Sequence, residues 1–327
     1  MAIGTGATFK IYNDQFYSGM LEEADQNLNV FNAASANTII LQSRLIRGNY
    51  EYESFLEDIS GVVTRRDVTS VSAPGDLDWT QDEFVSVKIN RKIGPVAKTL
   101  DSWKKIGQNA DEFSFKMGQL AQREKMKDMI NTALIAVEAA IQGQSALNFD
   151  ATGLSPDTAT HGHLVSALAK FGDASQKVRC WVGYSKPTHD LLAQAITDKI
   201  TNVADVVIRE GSTATLNRPL VVIDAPALHD ANGSLADSYN WLGLVPGAVV
   251  VTEAEQETVA FELVTGLENL AYRYQHEYAY TIKVKGFRWD VTSGGANPTD
   301  GAVGTTTNWD KAATSDKSLA GVRAIFN

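Results

Sequence analysis

Residues 61–93 constrain the fold more than any other stretch of the chain. Val85, Val87, Ile89 and Ile93 alternate with Ser86, Lys88, Asn90 and Lys92, which is the period of a half-buried strand. Upstream lies Val62-Val63-Thr64-Arg65-Arg66-Asp67-Val68, and between the two runs sits Ser72-Ala73-Pro74-Gly75-Asp76, a strong turn signal. The segment therefore reads as one long hairpin. Strands of ~12 residues at ~3.3 Å per residue would carry its tip ~40 Å from the body. A two-stranded ribbon is marginal alone in water, so it needs a surface to lie on, and its own chain need not supply one.

The remaining pattern is a mixture of helix and strand. A helix is expected over 14–34, capped by Asn13 or Asp14, with Phe16, Met20, Ala24 and Phe31 at helical spacing. Short β-runs follow at Thr38–Leu41 and around Tyr50, Tyr52 and Phe55. A second helix, from Asp111 to Gln142, would be nearly ~50 Å long at ~1.5 Å per residue. Its apolar face switches sides: Phe113, Met117 and Leu120 lie on one side, and Ile130, Ala133, Leu134, Val137 and Ile141 on roughly the other. Gln122-Arg123-Glu124-Lys125 separates them, so the helix spans two environments. Residues 155–270 read as an α/β region, with helices near 160–172 and 187–199 and strands at Val178–Tyr184, Pro219–Asp224 and Ala248–Thr252. A long strand follows, in which Tyr272, Tyr274, His276, Tyr278, Tyr280, Ile282 and Val284 share one face. Residues 293–318 read as a loop anchored by Trp309 and Leu319.

Composition excludes several classes. The chain has 327 residues, a hydrophobic share of 44% and a formal charge of −10. An acidic chain without a basic tail is unsuited to holding nucleic acid by counterion release. The sequence shows no membrane-length apolar run and no secretory leader pattern. Cys180 is the only cysteine, so no internal disulfide can form.

No catalytic constellation emerges. Gly183-Tyr184-Ser185-Lys186-Pro187 sits where a hydrolase nucleophile elbow would, but Pro187 replaces the second glycine, so Ser185 reads as a helix N-cap. Gly4-Thr5-Gly6 lacks the third glycine of a dinucleotide loop. His161 and His163 lack a third metal ligand at a usual spacing. Glu253, Glu255 and Glu257 read as a solvated face, Cys180 as a buried thiol, and the Tyr272–Tyr280 stripe as sheet packing.

The order of these elements resembles the major capsid proteins of tailed bacteriophages, the Hong Kong 97-type fold. So do Tyr12-Asn13-Asp14-Gln15-Phe16, Asn297-Pro298-Thr299-Asp300, Asn308-Trp309-Asp310-Lys311 and Leu319-Ala320-Gly321-Val322. The resemblance implies an α+β chain with five parts: an N-arm and N-terminal helix (1–57), an E-loop hairpin (58–98), a spine helix with P-domain (99–150), an A-domain (151–268), and P-domain return strands with a C-terminal tail (269–327). It implies a structural subunit, not an enzyme, that forms pentamers and hexamers with itself in the virion. The shell is assembled in the host bacterial cytoplasm and encloses double-stranded DNA without sequence-specific contacts. Scaffolding, portal and decoration proteins are the implied partners, with no cofactor, metal or membrane; the directly starting N-arm points to a separate scaffolding protein or none. Burial on that scale is plausible: a compact monomer of 35.4 kDa exposes ~13,000 Å², of which six neighbours covering ~800 Å² each would hide over a third. Two other classes stay open on sequence alone, an encapsulin-like compartment around protein cargo and an α/β enzyme.

Charge is sorted along the expected hairpin. Asp76, Asp78, Asp82 and Glu83 gather near its tip, and Arg65, Arg66, Lys88, Arg91 and Lys92 along its stem. These nine residues are the candidate assembly contacts, acidic tip on a neighbour's basic patch and basic stem on an acidic one.

Overall fold

The computed structural model describes residues 16–22, 32–33, 35–56, 65–66, 68–69, 71, 81–99, 110–198, 215–230, 237–266 and 268–327. The expected strand at 62–68, for the most part, the turn at 72–76, Gly4-Thr5-Gly6 and Tyr12–Gln15 lie outside them.

In chain order the strands and main helices begin with β1 (Ile39–Ser43), β2 (Tyr50–Leu56), β3 (Gln81–Thr99), helix α1 (Ala110–Gln142) and β4 (Asn148–Asp150). The middle holds helix α2 (His161–Ala169), β5 (Cys180–Gly183), helix α3 (Ser185–Asp198), β6 (Leu220–Val222), β7 (His229–Asp230) and β8 (Ser238–Leu244). The last part holds β9 (Val249–Glu253), β10 (Thr258–Val264), β11 (Ala271–Val284), β12 (Phe287–Trp289), β13 (Trp309–Lys311) and β14 (Gly321–Phe326).

Among the described residues the strands form two six-stranded sheets and the small pair β12-β13. The first runs β1-β9-β11-β3-β2, with β10 also on β11. The second runs β4-β14-β8-β5-β6, with β7 also on β8. Helix α1 touches strands of both. One apolar core joins Ile39, Val87, Ile89, Val251 and Ile282 of the first sheet, Val182, Leu242 and Val322 of the second, and Ala133, Leu134 and Val137 of α1.

The alternation in 85–93 marks a strand whose Val87 and Ile89 are buried, but its neighbours differ from those expected. Strand β3 pairs antiparallel with β11, Ile89 opposite Tyr280, and with β2, Val87 opposite Tyr50. Residues 85–93 therefore lie inside the body's sheet, not on a projecting ribbon. The rising strand of the hairpin is β2, paired with β3 as far as Leu56 opposite Gln81, so residues 57–80 connect the two from that end of the ladder. Ser86 and Lys88, expected to face water, are buried as well. A central strand is covered on both faces, which a polar residue tolerates only when it is paired.

Helix α1 is unbroken and does span two environments. Near its start Met117 and Ala121 meet Phe16, Met20 and Tyr274 in a separate small cluster, while from Met126 onward it enters the main core. Leu120, expected on the apolar side, is 57% exposed. The helical segment at 16–22 crosses α1 without side chains between the backbones: a Cβ on Gly19 would stand 2.3 Å from Phe115 O, and one on Gly118 2.2 Å from Phe16 O. Only glycine permits that approach.

The α/β region is less self-contained than the sequence implied. Strand β9, expected within it, belongs to the first sheet, and β14 from the C-terminal tail pairs with β8 and β4 in the second. Between them Trp309 and Leu319 are buried as expected. Trp309 packs edge-on against Trp289, ring centroids 5.1 Å apart, and its Nε1 donates to Val303 O at 2.8 Å.

Candidate functional site

The chemistry-bearing side chains converge where α1 crosses the first sheet. Lys125 is buried there, its ammonium answered by Glu253 and Glu257. His276, fully buried on β11, lies 3.1 Å from Glu257 Oε2. Burial pushes the Glu257 carboxyl up, but the hydrogen bond with His276 and the charge of Lys125 outweigh it and hold the carboxyl below the usual range. Lys88 of β3 pairs with Glu255. The alternation of Glu253, Glu255 and Glu257 is therefore a comb of carboxylates holding two buried lysines: Glu253 and Glu257 are largely covered, while Glu255 keeps the solvated position that the period suggested. A buried ammonium without such partners would be costly.

A second group adjoins it. Arg91 of β3 pairs with Asp300 and lies 3.4 Å from Asp128 Oδ2. The Tyr278 and Tyr280 hydroxyls both donate to Asp128 at 3.0 Å. Burial, together with the Asp128 charge, pushes both phenols well above their ordinary range. Tyr278 and Tyr280 thus pack against α1 with their hydroxyls satisfied, in line with the reading of the stripe as sheet packing.

Deeper along α1, Arg323 of β14 sits 2.8 Å from Glu138 Oε1. Burial pushes the Glu138 carboxyl up to about 7, against the pull of Arg323.

The other candidates are structural. Helix α3 begins at Ser185, whose backbone N–H donates to Asp224 Oδ1 at 3.0 Å, so the capping acceptor comes from beyond β6 and not from Ser185 itself. His163 packs between Phe149 and Phe326, and its Nδ1 is 3.0 Å from Thr158 O. Among the described residues no group of three or more His, Cys, Asp or Glu is arranged to hold a metal. The Cys180 thiol is pushed up to about 12 by burial, which makes it unreactive.

The nine candidate assembly residues divide. Arg65, Arg66, Glu83 and Lys92 are exposed. Asp76, Asp78 and the side chain of Asp82 lie outside the described residues. Lys88 and Arg91 are not available at a surface stem, because Glu255, Asp128 and Asp300 of the same chain take their charges. The short motifs find local tasks: Asn297 Oδ1 accepts from the Asn90 amide at 2.8 Å, Thr299 accepts from the Ala302 amide, and Lys311 pairs with Asp316 at 2.6 Å.

Sequence and fold comparisons agree with one another. The model of the Gp13-like family, described as major capsid protein 13-like, matches residues 8–323. The capsid asymmetric unit of cyanophage Pam1 is similar at 13% identity and a TM-score of 0.56, covering 90% of this chain and 92% of that one. The capsid of Ralstonia phage GP4 is similar at 10% identity and a TM-score of 0.51, covering 88% and 87%. The acid-stable capsid of Helicobacter pylori bacteriophage KHP30 gives 7% identity and a TM-score of 0.51, covering 90% and 89%. No curated protein matches. The architecture is the α+β Hong Kong 97-like capsid fold, and the matched family is one of viral shell proteins, in line with the structural reading of the sequence. The chain belongs to the Gp13-like family of major capsid proteins, structural subunits that form the shell of a bacteriophage virion.

Proposed function

We propose that the chain closes into an icosahedral head shell of pentamers and hexamers around double-stranded DNA, assembled in the host bacterial cytoplasm with scaffolding and portal proteins. The observation that supports this most is the β2–β3 ladder. Among the described residues β2 is an edge of the sheet, and its ladder with β3 ends where Leu56 stands opposite Gln81, with residues 57–80 joining the two. A strand at the edge of a sheet is a template for pairing with another chain. The charge of −10 fits a container that holds DNA without binding it, the DNA being driven in by other components. This reading assigns no catalytic residue, metal or cofactor.

The contact residues are then Arg65, Arg66, Asp76, Asp78, Asp82, Glu83 and Lys92, while Lys88 and Arg91 hold the body together. Like-charge contact at such a junction costs several kcal/mol, repeated at every subunit. The double variant Arg65→Glu/Arg66→Glu is expected to keep the circular dichroism of the wild type and to stop forming shells. Normal particles with unchanged salt sensitivity would remove these arginines from the interface.

A further inference from the structure

Among the described residues the buried Lys88, Lys125 and Arg323 are answered by carboxylates, but one surface cluster of cations is largely left without them. Lys177, Arg179, Lys285 and Lys317 line a cavity of about 340 Å³ with Val245 and Leu319 among its walls. Arg218 stands beside it, its Nε donating to Val178 O at 2.8 Å. Among the described residues a single carboxylate pairs with this cluster, Asp173, at 2.6 Å from Lys317. Lys177 and Lys285 reach only backbone carbonyls, Lys317 O at 3.4 Å and Pro246 O at 3.2 Å. Burial lowers the pKa of Lys285 and of Arg218, and the neighbouring charges of Lys177 and Arg179 lower them further. Cations crowded in this way gain from an anion brought by a partner.

The shape of the site selects among anions. A double helix is a convex rod, met by a cationic surface or by an element entering its groove. A small cavity with cationic rims and apolar walls fits a peptide that carries carboxylates and apolar side chains together. The sequence holds such a peptide: Asp76-Leu77-Asp78-Trp79-Thr80-Gln81-Asp82-Glu83. Copies that each carry −10 repel at long range, so contact between them is favoured where opposite charges meet locally.

We propose that the cavity lined by Lys177, Arg179, Lys285 and Lys317 receives acidic side chains of the 76–83 segment of a neighbouring copy of this chain, Asp76 and Asp78 foremost. The proposal rests on the shell reading above and names the acceptor surface within it. Its test is charge exchange, in the full-length chain, under conditions where the wild type forms particles. Lys177→Glu/Arg179→Glu, both at exposed positions, is expected to keep the wild-type circular dichroism and to cut particle yield at least tenfold. Adding Asp76→Lys/Asp78→Lys is expected to restore yield to within about twofold of wild type. Wild-type yield from the first variant would overturn the proposal and leave the shell reading standing. Loss without restoration would exclude this occupant. Normal particles that retain less DNA would assign the cavity to nucleic acid and overturn the proposal as well. A wild-type chain that forms no particles at all would instead be a failure of the shell reading.

Discussion

Glu138 and Arg323 are both buried and in contact, Oε1 to Nε 2.8 Å, yet the carboxyl is pushed up to about 7 from an ordinary 4.5 because desolvation exceeds the pull of the guanidinium. Asp230, 3.7 Å from Arg323 Nη2, pushes it in the same direction. The folded chain therefore holds a proton that the unfolded chain releases. Its contribution to stability is complete below the unfolded pKa near 4.5 and is lost as pH rises through about 7. A shift of that size corresponds to roughly 3 kcal/mol. Urea midpoints at pH 5 and pH 8 are expected to differ less in Glu138→Gln than in the wild type. An equal or larger pH difference in the variant would mean that Glu138 is ionised in the fold.

The carboxylate comb predicts strong non-additivity. Lys125→Met leaves Glu253 and Glu257 facing each other without their cation, and such a break costs about 3–5 kcal/mol. Glu257→Gln in the Lys125→Met background is expected to recover part of that loss, although it is destabilising alone, since it also removes the partner of His276. Additive losses in a denaturation cycle would show that the three groups do not act together.

The helix crossing at Gly19 and Gly118 has no room for a methyl group. Gly118→Ala places a Cβ 2.2 Å from Phe16 O, so the 16–22 segment must move away. The expected cost is about 1–3 kcal/mol. Limited proteolysis should show faster cleavage near residues 16–22, with α1 and the sheets still protected. Unchanged protection of that segment would argue against the close crossing.

The cap of α3 gives a narrower prediction. Asp224→Ala removes the acceptor for the Ser185 amide and should cost about 1 kcal/mol. Ser185→Ala should cost less, because Asp224 and not the serine provides the cap. The reverse order in thermal denaturation would return the capping role to Ser185.

Much of the fold was legible because its signals are local. The run from Val85 to Ile93, the face from Tyr274 to Val284 and the change of side along α1 are written in residues close in sequence, and each appears in the structure. What was not legible depends on distant partners. Glu253 and Glu257 looked solvated because Lys125 is 128 and 132 positions away, and the pairing of the exposed Glu255 with Lys88 spans 167. Strand β8 gave no alternation to read, since nearly all of Ser238–Leu244 is buried on both faces. The hairpin was drawn with the wrong partner for the same reason: the sequence marks β3 as a strand, but its pairing with β2 and β11 is a property of the assembled sheet. The one signal that pointed to the buried site was Lys125 itself, a cation immediately before the apolar half of a long helix.

The central claim, that this chain builds a closed shell, is tested most directly by electron cryomicroscopy of the purified full-length protein expressed with its phage assembly partners. The account predicts icosahedral particles in which the chain occupies rings of five and six, with residues 57–80 reaching from one subunit onto the next. A folded chain that stays monomeric or forms only small open oligomers under those conditions would contradict it.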